Sequence, residues 1–168
     1  DILGEDEKKT LYKILNEVLK DLEGYRKNEG AELGKDINLR IDLIESHLQS
    51  AVKIDPERNK KIEEKLRSAL EDLKQEVDTN RFEQELIFYL EKFDITEEKV
   101  RLKNHLNYFR EVMENDFPNG KKLGFISQEI GREINTIGSK ANHTELQKIV
   151  VQMKDELEKI KEQLLNVL

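Results

Sequence analysis

Leu146, Val150, Met153, Leu157, Ile160, Leu164 and Val167 follow one another at alternating intervals of four and three. That spacing draws one apolar stripe along one side of an α-helix, in the manner of a coiled-coil seam. The same interval recurs at Leu11, Leu15, Val18, Leu22 and Tyr25, and again at Ile37, Ile41, Ile44, Leu48 and Ala51. No stretch alternates with the period of two that a half-buried strand requires. Charged residues make up 39% of the chain and aromatics 6%, which favours long amphipathic helices over a sandwich built from β-branched and aromatic residues. The expected fold is therefore all-α, with five to six helices, coiled-coil-like packing and an antiparallel helical hairpin. A seam as regular as the last one is expected to pack against a partner helix, making the last helix an assembly surface.

Punctuation along the chain sets the expected organisation. The two glycines within "RKNEGAELGKD", residues 26–36, allow either a bend or a continuous helix whose buried face rotates. Pro56 stands where a helix favours its first residue, with Asp55 as its cap. Ile62, Leu66, Ala69 and Leu73 form a further stripe, and Asp78, Thr79 and Asn80 interrupt it before "RFEQELIFYLEKF". Asp94 lies three residues before Glu97, a capping-box spacing. "NDFPNGKK", with Pro118 and Asn119-Gly120, is the clearest turn. Asn142, three residues before Glu145, is expected to cap the last helix. These breaks suggest a helical stalk or bundle over 1–93 and a carboxy-terminal helical domain over 94–168, or one continuous domain.

Several function classes are excluded. No apolar run approaches the roughly 20 residues that span a bilayer. The chain has no cysteine, so it has no disulfide scaffold or thiolate metal site, and this fits a cytoplasmic protein. A Gly-rich phosphate loop, GxSxG and HExxH are all missing. The net charge of −7 argues against indiscriminate nucleic-acid binding. The charge is uneven, however: residues 96–140 carry eight Lys or Arg against seven Asp or Glu, and the remainder carries 21 against 29. A polyanion meets least repulsion at 96–140.

Two helices in that segment carry the chemistry. At about 100° per residue, Leu123, Ile126, Ile130, Ile134 and Ile137 cluster on one side of the helix after the turn. Lys122, Glu129, Glu133 and Lys140 form a second line at its margin; Gln128, Arg132, Asn135 and Ser139 form a third, opposite the isoleucines. Carboxylates four apart repel each other on a helix surface. A cation between Glu129 and Glu133 reverses that sign, whether Lys140, an arginine from elsewhere or a divalent metal. On the preceding helix Leu102, Leu106, Phe109 and Met113 face the core, while Asp94, Glu98, Arg101 and His105 run along its edge. His105 is open to several roles: metal ligand, general base, phosphate contact, or a half-buried imidazole bonded to Glu98 or Glu129. A salt-bridged, solvated face is the alternative for both carboxylates. His47 and His143 carry less weight, the first beside an apolar stripe and the second in a capping turn.

"DITEEKVRLKNHLNYF", "GKKLGFISQEIGREINTIGSK" and "ELEKIKEQLLNV" together resemble the carboxy-terminal part of the YicC/YloC-like endoribonuclease family. Upstream, "YRKNEGAEL" and "VDTNRFEQEL" resemble further motifs of that family. Gly124 stands where the family has Asp, Asn104 where it has Ser, and Lys161 where it has Arg. The family's amino-terminal domain has no counterpart, so the chain is expected to be a carboxy-terminal fragment. The resemblance implies a cytoplasmic protein that cuts RNA with a divalent metal, Mn²⁺ or Mg²⁺, and assembles as a homo-oligomer, a hexamer. On that reading Glu98, Glu129 and Glu133 are the metal carboxylates. His105 is a ligand or proton carrier beside the catalytic Glu129 and Glu133. Arg101, Gln128, Arg132, Asn135, Ser139 and Lys140 hold RNA. The competing reading is a non-catalytic helical oligomerisation or adaptor module whose RNA surface lies mainly in the missing domain.

Overall fold

The computed structural model describes residues 4–72, 79–115 and 119–165. They form five helices and, among the described residues, no strand: α1 (Glu5–Asp72), α2 (Thr79–Phe93), α3 (Thr96–Asn115), α4 (Gly120–Lys140) and α5 (Thr144–Leu164). The all-α expectation is met. Leu73, Asp78, Pro118 and Val167, parts of the expected stripes, break and turn, lie outside the described residues.

Of the two readings of residues 26–36 the continuous helix is the one formed, and the helix start expected at Pro56 is absent. α1 runs without interruption through Gly30, Gly34 and Pro56. A proline inside a helix has no N–H to donate to the carbonyl four residues back. Asp55 caps nothing; its carboxylate is turned to buried cations described below.

The chain divides into two units, one ending at Ile37 and the other running from Asn38 to Leu168. The expected boundary at 93/94 does not coincide with this division. Ile41, Ile44, Leu48 and Ala51 of α1 are fully or nearly buried, and ion pairs join this stretch to the later helices. Arg110 of α3 donates to Asp42 and Glu45 at 2.7 Å, and Arg40 donates to Glu156 of α5 at 3.1 Å. The first unit is a single helical segment, with its large apolar side chains from Leu11 to Tyr25 exposed.

In the second unit α3, α4 and α5 pack as successive antiparallel neighbours. Val112 accepts from Asn119 Nδ2, Arg101 approaches Glu133, and Lys140 meets Glu98, so partners on α4 advance as those on α3 retreat. α4 is the central helix. Leu123, Ile126, Ile130, Ile134 and Ile137 are buried, as the periodicity predicts. Leu146, Val150, Met153, Leu157 and Ile160 of α5 are buried too. The last seam is thus consumed within the chain, mainly by α4, and the expectation of an assembly surface there does not hold. Val112 is buried on α3 where Met113 was expected, because the core face drifts by one residue at the helix end.

Gly131 and Gly138, seven residues apart, let α5 approach α4 closely. A Cβ at Gly138 would stand 3.0 Å from Val150 Cγ1, and one at Gly131 3.2 Å from Leu157 Cδ2. A Cβ at Gly124 would meet nothing within 4 Å. Gly138→Leu is therefore expected to lower stability by about 1–3 kcal/mol through overpacking. Gly124→Ala is expected to be neutral or stabilising by up to about 1 kcal/mol from helix propensity. Urea unfolding of the two variants checks the contrast; equal effects would refute the close α4–α5 approach.

Candidate nucleic-acid interface

The apolar seam of α1, read on from Ile37 and Ala51 in steps of four and three, arrives at Asp55 and Arg58. Both are buried, at 3% and 1% exposure. Arg58 Nε donates to Asp55 Oδ1 at 2.9 Å. Its Nη1 donates to the Lys140 carbonyl at 3.1 Å and its Nη2 to the Phe93 carbonyl at 2.6 Å. Those carbonyls belong to the last residues of α4 and α2. A helix C-terminus leaves carbonyls without intrahelical donors and carries partial negative charge. One guanidinium satisfies two such ends. Lys99 Nζ donates to the other Asp55 oxygen at 2.5 Å, bringing in the first turns of α3. The heptad position of Asp55 and Arg58 is the signal that sequence reading passed over: two ions where the seam calls for apolar residues.

This hub fixes the end of α4. Gln147 Nε2 donates to the Gly138 and Ala141 carbonyls. Lys140 Nζ then reaches back to the Asp94 carbonyl at 2.9 Å and to Glu98 Oε1 at 2.7 Å. Glu98 is 5% exposed, and its second oxygen is buried without a hydrogen-bond partner. Asp94 caps α3 through Thr96, whose N–H and hydroxyl both donate to Oδ1, rather than through Glu97. Burial pushes the Asp94 carboxyl up, but the two Thr96 hydrogen bonds and the charges of Lys99 and Lys140 outweigh it and leave it below 3.8. His143 rather than Asn142 caps α5, its Nδ1 accepting from the Leu146 N–H. Its own extended backbone, one residue nearer the helix, decides between them.

The three lines expected on α4 are present. Gln128, Arg132, Asn135 and Ser139 are all exposed. Glu129 is half-buried and pairs with Arg132 at 2.8 Å, and Glu133 is buried with Arg101 Nη1 4.0 Å away. Arg101 also pairs with Glu97 on its own helix. His105 is half-buried and makes no hydrogen bond or ion pair with the described residues, so the imidazole–carboxylate bonds to Glu98 or Glu129 are not formed. The structure brings together Glu98 with Lys140 and Arg101 with Glu133. It does not gather the four expected metal donors. Among the described residues no three His, Asp or Glu side chains form a group able to hold a metal ion. Glu98 Oε2 is an orphaned acceptor, yet the Lys140 ammonium on its other oxygen disfavours a second cation there. The described side chains of one copy offer a divalent ion at most two carboxyl or imidazole donors at one place.

The family described as endoribonuclease YicC-like, C-terminal, matches residues 51–168. The chain belongs to the YicC-like endoribonuclease family. A protein of Clostridioides difficile (strain 630) named probable endoribonuclease YicC is 36% identical over 170 aligned residues, covering 97% of this chain and 58% of that protein. One of the same name from Haemophilus influenzae is 29% identical, covering 94% of this chain and 55% of its own length. The chain thus spans little more than half the length of these YicC relatives. Among the described residues no helix is long and apolar enough to cross a membrane.

Two outcomes are expected. Arg58→Leu leaves two helix ends without their donor and costs about 3–5 kcal/mol, whereas Asp55→Leu combined with Arg58→Leu costs less because the fully buried carboxylate and guanidinium go together and only the part-exposed Lys99 ammonium loses its partner. Equal unfolding free energies for the two variants would contradict the hub. For Asp94 the folded value is depressed, so its stabilisation is present above about 3.8 and is lost as pH falls through the lower folded value. Melting of Asp94→Asn between pH 5 and about 2 should therefore show a shallower acid loss than the parent, and parallel curves would refute the assignment.

Proposed function

We propose that this chain is the helical part of an RNA-cleaving enzyme and that the α3–α4 face receives the RNA backbone. The family match over residues 51–168 carries this reading. The exposed line of Gln128, Arg132, Asn135 and Ser139 supports where RNA lies, with Arg101 beside it on α3. Arg132 and Arg101, both exposed, are held by the half-buried Glu129 and the exposed Glu97. Pairs with a solvent-exposed guanidinium are weak, about 0–1 kcal/mol, so a phosphate, which guanidinium binds bidentately, displaces the carboxylate at little cost. Gln128 and Asn135 supply neutral donors to phosphate or sugar oxygens. Lys140 is engaged inward, with both Asp94 and Glu98, and acts by holding the face rather than by reaching RNA.

Phosphodiester cleavage needs a proton acceptor at the attacking oxygen and a donor at the leaving one. Glu129, Glu133 and His105 are the groups proposed for this. His105 has no competing hydrogen bond among the described residues, and Glu133 is poised behind Arg101. A divalent Mn²⁺ or Mg²⁺ enters the proposal only with donors from outside a single copy of these helices, from another part of the protein, a second copy in a homo-oligomer, or the RNA itself. No step is derived through it. A cytoplasmic site of action belongs to the same proposal. A second reading is a non-catalytic helical module that positions RNA for a site elsewhere, and the large part of the relatives' length that lies beyond this chain favours it.

Arg132→Ala in the full-length protein should weaken RNA binding and reduce the slope of log K against log salt by about 1. An equal loss from Lys8→Ala with Lys9→Ala would show diffuse attraction and no face. Glu129→Gln and Glu133→Gln should fold normally and cut at least about tenfold more slowly, roughly 1.4 kcal/mol in the transition state. Undiminished cutting by both establishes the second reading. Full activity in EDTA removes the metal, and cyclic-phosphate ends move the chemistry to His105.

A further inference from the structure

Leu11, Leu15, Val18, Leu22 and Tyr25 form an unbroken seam on the leading part of α1, and each is between 48% and 65% exposed. Single exposed apolar residues are ordinary; a continuous stripe of large ones marks a contact surface. The seam is also broad. Tyr12, Leu19 and Ile14 flank it and are 67%, 54% and 52% exposed. At about 100° per residue the apolar arc covers roughly 160°. A two-stranded coiled coil buries a narrower stripe and carries charged residues on its flanks. Here the flanks are mostly apolar, so the face fits the wider surface of a folded domain better than one helix of a second copy. Lys13, Glu17, Lys20, Glu23 and Lys27 occupy the opposite side and are exposed, so the occupant covers one side only.

A separate observation says what the occupant is. The carboxy-terminal family domain begins at residue 51, yet the relatives align with 97% and 94% of this chain. The seam therefore lies within the length that aligns with the relatives but outside that domain, in the unit ending at Ile37. The same relatives carry much further chain beyond what aligns, since only 58% and 55% of their length is covered.

We propose that the face from Leu11 to Tyr25 is the docking surface for the amino-terminal part of the same polypeptide. The apolar arc completes that part's core, and α1 carries the connection onward as one continuous helix. The inference rests on family membership and is independent of RNA cleavage.

Hydrogen exchange on two proteins tests it: the 168-residue chain, and the longer protein with its amino-terminal part in place, each at two concentrations. Amides of residues 11–25 are expected to exchange at least about tenfold more slowly in the longer protein, at both concentrations. Leu15→Asp with Leu22→Asp should abolish that protection in the longer protein while leaving amides of residues 102–109 unchanged. Leu22→Ala alone, a milder change, should reduce it in part. Equal exchange in the two proteins overturns the proposal. So does protection that is already present in the 168-residue chain and grows with concentration, which makes a second copy the occupant.

Discussion

A buried guanidinium between helix ends is expensive unless every donor is used, and Arg58 uses its donors on Asp55, on the last carbonyl of α2 and on the last carbonyl of α4. Three helices end or pass at this point because the charge demands it. Lys99 adds α3 through the second oxygen of Asp55. Apolar contacts alone are non-directional and would let α4 slide against its neighbours. Hydrogen bonds to named carbonyls do not.

The consequence for the candidate face is positional. With the end of α4 held, Lys140 folds back to Glu98 and the Asp94 carbonyl, closing the α3–α4 hairpin at its open end. Asn119, donating to the Val112 carbonyl, holds the other end. Between the two, the isoleucine side of α4 faces the core and the Gln128–Ser139 line faces solvent. The close glycine contacts with α5 keep α4 from rotating, so the exposed line stays where the buried one puts it. An amphipathic helix in this setting presents polar groups at fixed spacing on a rigid element, which suits recognition of a regularly spaced backbone.

Much of this was legible in the residues. Stripes at four-and-three spacing gave the core of α3, α4 and α5 nearly residue by residue, because burial follows period when helices are long. The third line of α4 was equally readable. What local pattern could not give was the use of each seam. That of α5 is spent on α4, and that of leading α1 is exposed, though their spacing is alike. Pro56 was misleading because tertiary packing on the neighbouring Ile41–Ala51 stripe overrides local breaking tendency, whereas the glycines at 30 and 34 left bend and continuous helix equally open. The pairing of Lys140 with Glu98, and of Arg58 with helix ends 35 and 82 residues away, depends on contacts distant in sequence. The expected four-donor cluster failed for the same reason: a shared helix edge does not bring Glu98, His105, Glu129 and Glu133 to one point.

The central claim is that RNA lies along the exposed line of α4 and its neighbour Arg101. Hydroxyl-radical footprinting of the full-length protein, with and without RNA, tests this most directly. The account predicts that RNA protects the side chains of 128–139 and of Arg101, while Lys13, Lys20 and Lys27 of α1 keep their reactivity. Unchanged reactivity over 128–139, with protection confined to other parts of the protein, would contradict it.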